Sequence, residues 1–396
     1  MPTRSLVLTT ILLVTATALA APPTPADTPS ATRADAEKAL DRAGTNRPEL
    51  EKALRDAPAD QRAGMVFLIA NMPDADLKSL RADFLLENLD LAYKVKSLVA
   101  WGAKIPDDVF LNNVLPYANV NESRDPWRKE FVELCLPLVK DCKTPGDAAQ
   151  LLNRTVFAKL KVKYSTQRKQ ADQSPKVSIA SGLASCTGLS ILLSDACRSV
   201  CVPTRVVGTP LWSNNRGNHT WLEVWDGDWH FTGACEADPN GLDRAWFVGD
   251  AAQAKKDSQM HAIYAASFKK TDTLFPLVWA RGRNDVYAEN VTDRYTSKAT
   301  PKGDRVRVSV RVWGPGKASR VVVPVEVVDG TDPKAVVSGE SKGETADRND
   351  ILGFDLAPGR EYNVRVGKPV RVEKPIKTEA GKDLTLEIEL PGEEKK

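Results

Sequence analysis

The sequence predicts an α+β protein, and three patterns of residue spacing carry that prediction. Apolar residues recur at helical spacing through residues 34–154, helix and strand signals mix through 155–298, and period-two alternation dominates 299–396. At 396 residues the chain exceeds what one hydrophobic core usually organises. The expected organisation is therefore a helical lead-in, a mixed central domain and a C-terminal β-sandwich.

The first residues read as an export signal. Arg4 precedes an apolar run from Leu6 to Val14, and Ala18-Leu19-Ala20 supplies the small residues a signal peptidase requires. That run falls short of the roughly 20 apolar residues that span a bilayer, so residues 1–20 are expected to be cleaved rather than to anchor. Residues 21–33 are rich in Pro, Ala and Thr and read as a linker. The mature protein is expected in the periplasm or outside the cell, with no integral membrane segment. Composition agrees with a globular body: 42% of residues are hydrophobic and 27% charged. With 55 Lys and Arg against 52 Asp and Glu, no strong field points to nucleic acid as a partner. The basic stretch from Lys159 to Lys169 reads as a solvated face.

In the lead-in, Leu50 and Leu54, then Leu80, Phe84 and Leu85, fall at three- and four-residue spacing. Pro58, Pro73, Pro106 and Pro116 stand where helices should stop. A polar and aromatic cluster of Asn121, Glu122, Arg124, Asp125 and Trp127 reads as a clamp onto the central domain. The central region holds all three histidines, His219, His230 and His261, the last in an expected helix. In the third region Val306, Val308, Val310 and Val312 alternate with polar residues, as do Leu384, Leu386, Ile388 and Leu390. Turns at Gly314-Pro315-Gly316, Asp329-Gly330 and Pro358-Gly359 complete the pattern of a sandwich. Without His or Cys, it reads as a spacer or a module for an envelope partner.

Six cysteines are present: Cys135, Cys142, Cys186, Cys197, Cys201 and Cys235. Export permits disulfides, and Cys135 with Cys142 is the expected pair. Cys197 and Cys201 read as small buried thiols. No C-x-x-C pair and no EF-hand loop occurs, so neither a metal nor another cofactor is expected.

The chemistry concentrates around Ser181-Gly182-Leu183-Ala184-Ser185-Cys186-Thr187-Gly188-Leu189. Leu189, Leu192, Leu193 and Ala196 share one helical face, so a buried helix starts near Cys186 with Ser185 as its N-cap. Unpaired N–H groups and the helix dipole there stabilise a thiolate. The expected effect is a thiol pKa lowered from about 8.5 toward or below neutrality. Downstream, Asn218 to Trp225 alternates like a strand, with His219, Trp221, Glu223 and Trp225 on one side. An imidazole fixed on a strand suits a general base for that thiol. Asp226-Gly227-Asp228 then turns the chain into a returning strand beginning Trp229-His230-Phe231.

The group that orients the imidazole depends on that turn. A Gly227-Asp228 turn sets Glu236 opposite His219, an Asp226-Gly227 turn sets Ala234 there, and a three-residue loop sets Cys235. Glu236 is the first candidate and Asp238 the second. Trp212 and Trp221 are candidate walls of an acyl-substrate groove, and Asn218 flanks the base.

Four motifs in order, Gly-Leu-Ala-Ser-Cys186, Val202-Pro203-Thr204-Arg205, Asn218-His219-Thr220-Trp221-Leu222-Glu223-Val224 and Gly227-Asp228-Trp229, resemble the transglutaminase-like core superfamily. The resemblance covers roughly Tyr164 to Glu236. It implies a papain-like fold and a Cys–His–Asp triad, in which Cys186 and His219 match nucleophile and base. It also implies attack on a peptide or amide carbonyl and a thioester that water, the default acceptor, or an amine resolves. The products would be those of a protease or amidase, or of protein cross-linking. Two positions depart from the family pattern. The family's Asp falls here on Gly233, and Cys201 stands where the family commonly has Gly. For the oxyanion, the backbone N–H of Cys186 and the Gln173 side chain are candidates. The competing expectation is a catalytically inactive transglutaminase-fold scaffold that binds envelope polymers or proteins.

Overall fold

The computed structural model describes residues 31–297 and 305–392. The expected signal peptide, and the linker up to residue 30, lie outside the described residues. Among the described residues no helix is long and apolar enough to cross a membrane.

The lead-in forms seven main helices: Arg33–Leu40, Arg47–Asp56, Arg62–Asn71, Ala82–Leu98, Asp107–Asn113, Arg128–Val139 and Pro145–Leu160. Thr32 and Asp35 close a capping box on the first. Pro73 and Pro106 stand as N-caps, while Pro58 and Pro116 lie between helices. Leu50, Leu68, Leu85 and Leu152 belong to one buried cluster with Leu189, Leu192 and Leu193 of the central region. The lead-in and the central region therefore share a hydrophobic core, and the Pro145–Leu160 helix runs straight through the 154/155 boundary expected from sequence. Polar bonds reinforce the junction. Asn121 donates to Asp172 at 2.6 Å and the Asp125 carboxylate accepts from the Lys176 N–H at 2.8 Å, while Arg124 pairs with Asp76 at 3.0 Å within the lead-in.

The helix Cys186–Ser199 is buried from Thr187 to its end and packs against a six-stranded antiparallel sheet. Short strands β1 (Lys163–Tyr164) and β2 (Leu183–Ala184) pair in parallel just before that helix. The sheet contains β3 (Thr204–Thr209), β4 (His219–Trp225), β5 (Trp229–Thr232), β6 (Tyr264–Ser267), β7 (Thr273–Leu274) and β8 (Tyr287–Asn290). Their spatial order is β5-β4-β3-β6-β8-β7. Register places Arg205 of β3 opposite Glu223 of β4, and the two form a buried ion pair at 2.7 Å. Tyr295 donates to the same carboxylate at 2.8 Å. The arginine and glutamate of two separate motifs are thus partners beneath the site.

Trp225 pairs with Trp229, so residues 226–228 form a three-residue loop. Gly227 sits at φ +84°, and the Asp226 N–H donates to the Asp228 carbonyl at 2.8 Å. A glycine in the left-handed region makes that loop possible. The register is therefore the one whose extension sets Cys235, not Glu236, opposite His219. Pairing itself stops at Leu222 and Thr232, leaving His219 beyond the ladder. His261 lies in a turn rather than a helix, where its Nδ1 meets the Leu211 carbonyl at 3.0 Å.

The C-terminal region is a two-sheet sandwich with its own core. It comprises β9 (Val306–Trp313), β10 (Pro324–Asp329), β11 (Val336–Glu340), β12 (Leu352–Leu356), β13 (Glu361–Val366), β14 (Val372–Lys377) and β15 (Leu384–Glu389). One sheet runs β11-β10-β13-β14 and the other β12-β9-β15, with β9 and β15 parallel. Val306, Val308, Val310 and Val312 all face the core with Phe354, Val364, Leu386 and Ile388. The β11–β12 connection, residues 341–351, leaves the sandwich and reaches the central region.

All six cysteines are free, which corrects the expected Cys135–Cys142 bridge. Cys135 is buried against Ser199, whereas Cys142 lies part-exposed beyond the end of its helix. Cys197 and Cys201 are fully buried, as expected.

Candidate active site

The head of the Cys186 helix is built by Ser185. Its hydroxyl accepts the Gly188 N–H at 3.0 Å and donates to the Ala171 carbonyl at 2.6 Å, so Cys186 is the first helical residue. The next residue, Thr187, shares a hydroxyl hydrogen bond of 3.1 Å with Thr220. Because Thr220 follows His219, this bond joins the neighbours of nucleophile and base across two elements. Cys186, His219 and Glu236 line one cavity of about 270 Å³.

His219 is 5% exposed, its ring held among Trp246, Phe247 and Trp221 at centroid distances of 4.8, 5.0 and 5.7 Å. Burial lowers its pKa to about 3, the nearby Asp347 opposing only in part, so the imidazole is neutral. Its Nε2 is buried without a hydrogen-bond partner among the described residues. The Cys186 thiol moves opposite to the helix-head expectation. Burial raises its pKa and the Asp347 carboxylate adds to the rise, against lowering bonds from Thr220 and Thr187. At rest the cavity holds a neutral thiol and a neutral imidazole.

The carboxylates divide clearly. Glu236 folds back over Gly233, where a Cβ would lie 2.6 Å from its Oε2. The Glu236 carboxylate thus fills space that a side chain at position 233, the family's Asp position, would need. Its Oε2 accepts from Trp246 Nε1 at 2.9 Å rather than from His219. More than a third of Glu236 is exposed, yet partial desolvation of its carboxyl raises the pKa, the bond from Trp246 opposing. Asp238 lies outside the cavity lining and caps its own turn, accepting from the Asn240 N–H at 2.8 Å.

Other expected residues find structural work. The Gln173 amide donates to the Leu183 carbonyl at 2.8 Å and its oxygen accepts from the Gln170 N–H at 3.3 Å, bracing the approach to Cys186 outside the cavity. Trp212 and Trp221 are fully buried and stacked at 5.8 Å, forming the floor behind His219 rather than groove walls. Asn218 offers its backbone carbonyl to Asn349 Nδ2 at 2.7 Å. His230 lies outside the cavity, 2.8 Å from Asp243.

Sequence reasoning missed two parts of the site. The exposed aromatic wall is Trp246, 46% accessible, which touches both His219 and Glu236. Its signal was the Trp246-Phe247 pair in the segment that follows the returning strand. The second part comes from the sandwich. Asp347 accepts from the Tyr164 hydroxyl, Thr166 donates to the Thr345 carbonyl at 2.8 Å, and Arg216 donates to the Asn349 carbonyl. Asp347, Asn349 and Asp350 consequently line the same cavity as Cys186. With Glu236 they make its charged lining wholly acidic. Among the described residues, no group of three or more His, Cys, Asp or Glu side chains comes together to hold a metal ion.

Comparison with known proteins bears on the central region. Residues 133–250 match the family model of the transglutaminase-like superfamily. No curated protein matches the chain. Among solved structures, a candidate cysteine protease from Cytophaga hutchinsonii is similar at 18% identity and a TM-score of 0.28. That likeness covers 47% of this chain and 65% of the other. Red sea bream transglutaminase is similar at 8% identity and a TM-score of 0.31, over 71% of this chain and 65% of its own. The span from 133 to 250, which carries Cys186, His219 and Glu236, is the part of the chain that matches the transglutaminase-like core.

Proposed function

We propose that this chain is a cysteine-dependent enzyme of acyl transfer or hydrolysis on peptide or amide substrates, working outside the cytoplasm. The observation that carries the reading is the shared cavity of Cys186 and His219, with their neighbours Thr187 and Thr220 bonded at 3.1 Å. In this reaction the Cys186 sulfur attacks the carbonyl carbon and its proton passes to His219. The carbonyl π pair moves to oxygen, where the Cys186 backbone N–H at the helix head is a donor. Collapse breaks the carbon–nitrogen bond, and the amine leaves with the proton held by His219. Water then attacks the thioester, giving its proton to His219 and restoring the thiol; an amine in place of water gives a new amide.

A neutral imidazole is required at the first step, and the low pKa of His219 provides it. Glu236 is the carboxylate proposed to steady the imidazolium, after rotating from Trp246 Nε1 toward the unpartnered Nε2 of His219. A second reading has its own support: Glu236 engaged with Trp246 and a raised thiol pKa both suit an inactive scaffold that binds envelope partners. Mass spectrometry of a peptide library incubated with wild type and Cys186→Ala separates them. New termini that need Cys186 indicate hydrolysis, and joined peptides indicate cross-linking. An unchanged library with both proteins would leave the scaffold.

A further inference from the structure

Beside the acidic cavity lies a larger groove of opposite sign, of about 630 Å³, between the central region and the sandwich. Five arginines line it: Arg168 and Arg216 from the central region, and Arg311, Arg320 and Arg348 from the sandwich. Only two carboxylates, Glu344 and Asp347, share the lining. Arg216 is paired with Asp250 at 2.8 Å, and Arg311 with Glu387. Arg168, Arg320 and Arg348 have no ion-pair partner among the described residues. Arg320 is 7% exposed, yet its guanidinium meets only the carbonyls of Ala346 and Asp347. Three arginines without a carboxylate partner leave the groove with uncompensated positive charge, so it is built to receive an anion.

We propose that this groove is a subsite for a carboxylate-bearing, acidic segment of a peptide whose reacting amide enters the Cys186 cavity. Planar guanidinium forks match carboxylates in two-point hydrogen bonding, which favours Asp and Glu side chains as the ligand. Asp347 and Asn349 line both groove and cavity, so one extended peptide can pass between them. The change of sign sets its register. Acidic residues lie in the groove, and an uncharged or cationic segment lies at the three carboxylates near Cys186. The near-balanced charge of the whole chain argues against a general polyanion binder, because the excess of cations is local. The inference rests on the acyl-transfer reading for the identity of the reacting amide, whereas the binding itself does not need the thiol.

The test uses the full chain carrying Cys186→Ala and fluorescence anisotropy with three probes. These are a peptide with an uncharged half and an Asp/Glu half, its Asn/Gln counterpart, and a single-stranded oligonucleotide of equal charge. The acidic peptide should bind about tenfold or more tightly than its amide counterpart, with affinity falling as salt rises. Adding Arg168→Gln and Arg348→Gln, neither of which is ion-paired, should remove most of that difference with the circular dichroism spectrum unchanged. Equal binding of the two peptides would overturn the proposal on the unaltered groove, whatever the variants do. Tighter binding of the oligonucleotide would overturn it in favour of a nucleic-acid ligand. Failure of the acyl-transfer reading would appear differently, as acidic-peptide binding intact with no turnover by wild type.

Discussion

The head of the Cys186 helix and the 341–351 loop of the sandwich line one cavity, and they reach it by different routes. The helix head is local: a serine cap, a cysteine, and apolar residues on one face specify it within a few positions. The loop arrives through tertiary contact, with Tyr164 and Asp347 meeting although they stand 183 residues apart. The two also push the thiol in different directions, since the helix head favours a thiolate and Asp347 disfavours it. A site assembled from two regions must therefore be judged by both, and here burial and the sandwich carboxylate prevail over the helix terminus in the resting protein.

The same contrast extends to energetics, and the largest difference expected is between buried and exposed ion pairs. Glu223→Ala leaves the buried Arg205 with only the half-exposed Glu289 as its partner and should destabilise the protein by about 3 kcal/mol in denaturant titration. Glu373→Ala in the sandwich breaks a pair with Arg365 that is 44% and 39% exposed, and should cost less than about 1 kcal/mol. Similar losses from both would erase the distinction.

Next in size is the effect of Glu236→Gln. An amide cannot hold an imidazolium as a carboxylate does, so kcat should fall about 100-fold with KM little changed. Undiminished turnover would remove Glu236 from the reaction and leave Trp246 as its only role.

Acid stability probes the buried base. His219 has a folded pKa of about 3 against an ordinary 6.5, so between those values the unfolded chain binds a proton that the folded chain does not. Stability should therefore fall as pH drops through that window, by up to about 1.4 kcal/mol per pH unit from this group. Thermal melts of wild type and His219→Gln from pH 7 to 4 check the sign, because the variant should show the shallower decline.

The smallest effect concerns the thiol itself. Asp347→Asn removes a carboxylate that raises the Cys186 pKa, so alkylation of Cys186 at a fixed pH near 7 should quicken by a few-fold, read by peptide mapping. An unchanged rate would confine the sandwich's influence to shape. Deleting residues 299–396 is no neutral control for turnover, because it strips Asp347, Asn349 and Asp350 from the cavity.

How much of this was legible in sequence follows from the range of each interaction. The Ser185 cap, the Cys186 helix, the His219 strand and the valine alternation of β9 are all short-range patterns, and each forms as read. The hairpin register was open because Asp226-Gly227-Asp228 accommodates several turns, and only the backbone at Gly227 decides among them. Trp212, in the loop after β3, and Trp221, on β4, offered no sign of depth, since a tryptophan at either place serves as wall or floor equally well. Gln173 was drawn inward by the Leu183 carbonyl, a contact that spacing does not reveal. Asp347 was invisible because nothing local marks a sandwich loop as part of a distant cavity.

The central claim, that Cys186 is an acylating nucleophile served by His219, is tested most directly by trapping its thioester. Wild type would be incubated with an activated peptide ester, quenched in acid and examined by intact-protein and peptide mass spectrometry. The account predicts an acyl adduct on Cys186 that hydroxylamine removes, absent in Cys186→Ala and strongly slowed in His219→Gln. An adduct confined to other cysteines, or one on Cys186 that forms equally fast without His219, would contradict it.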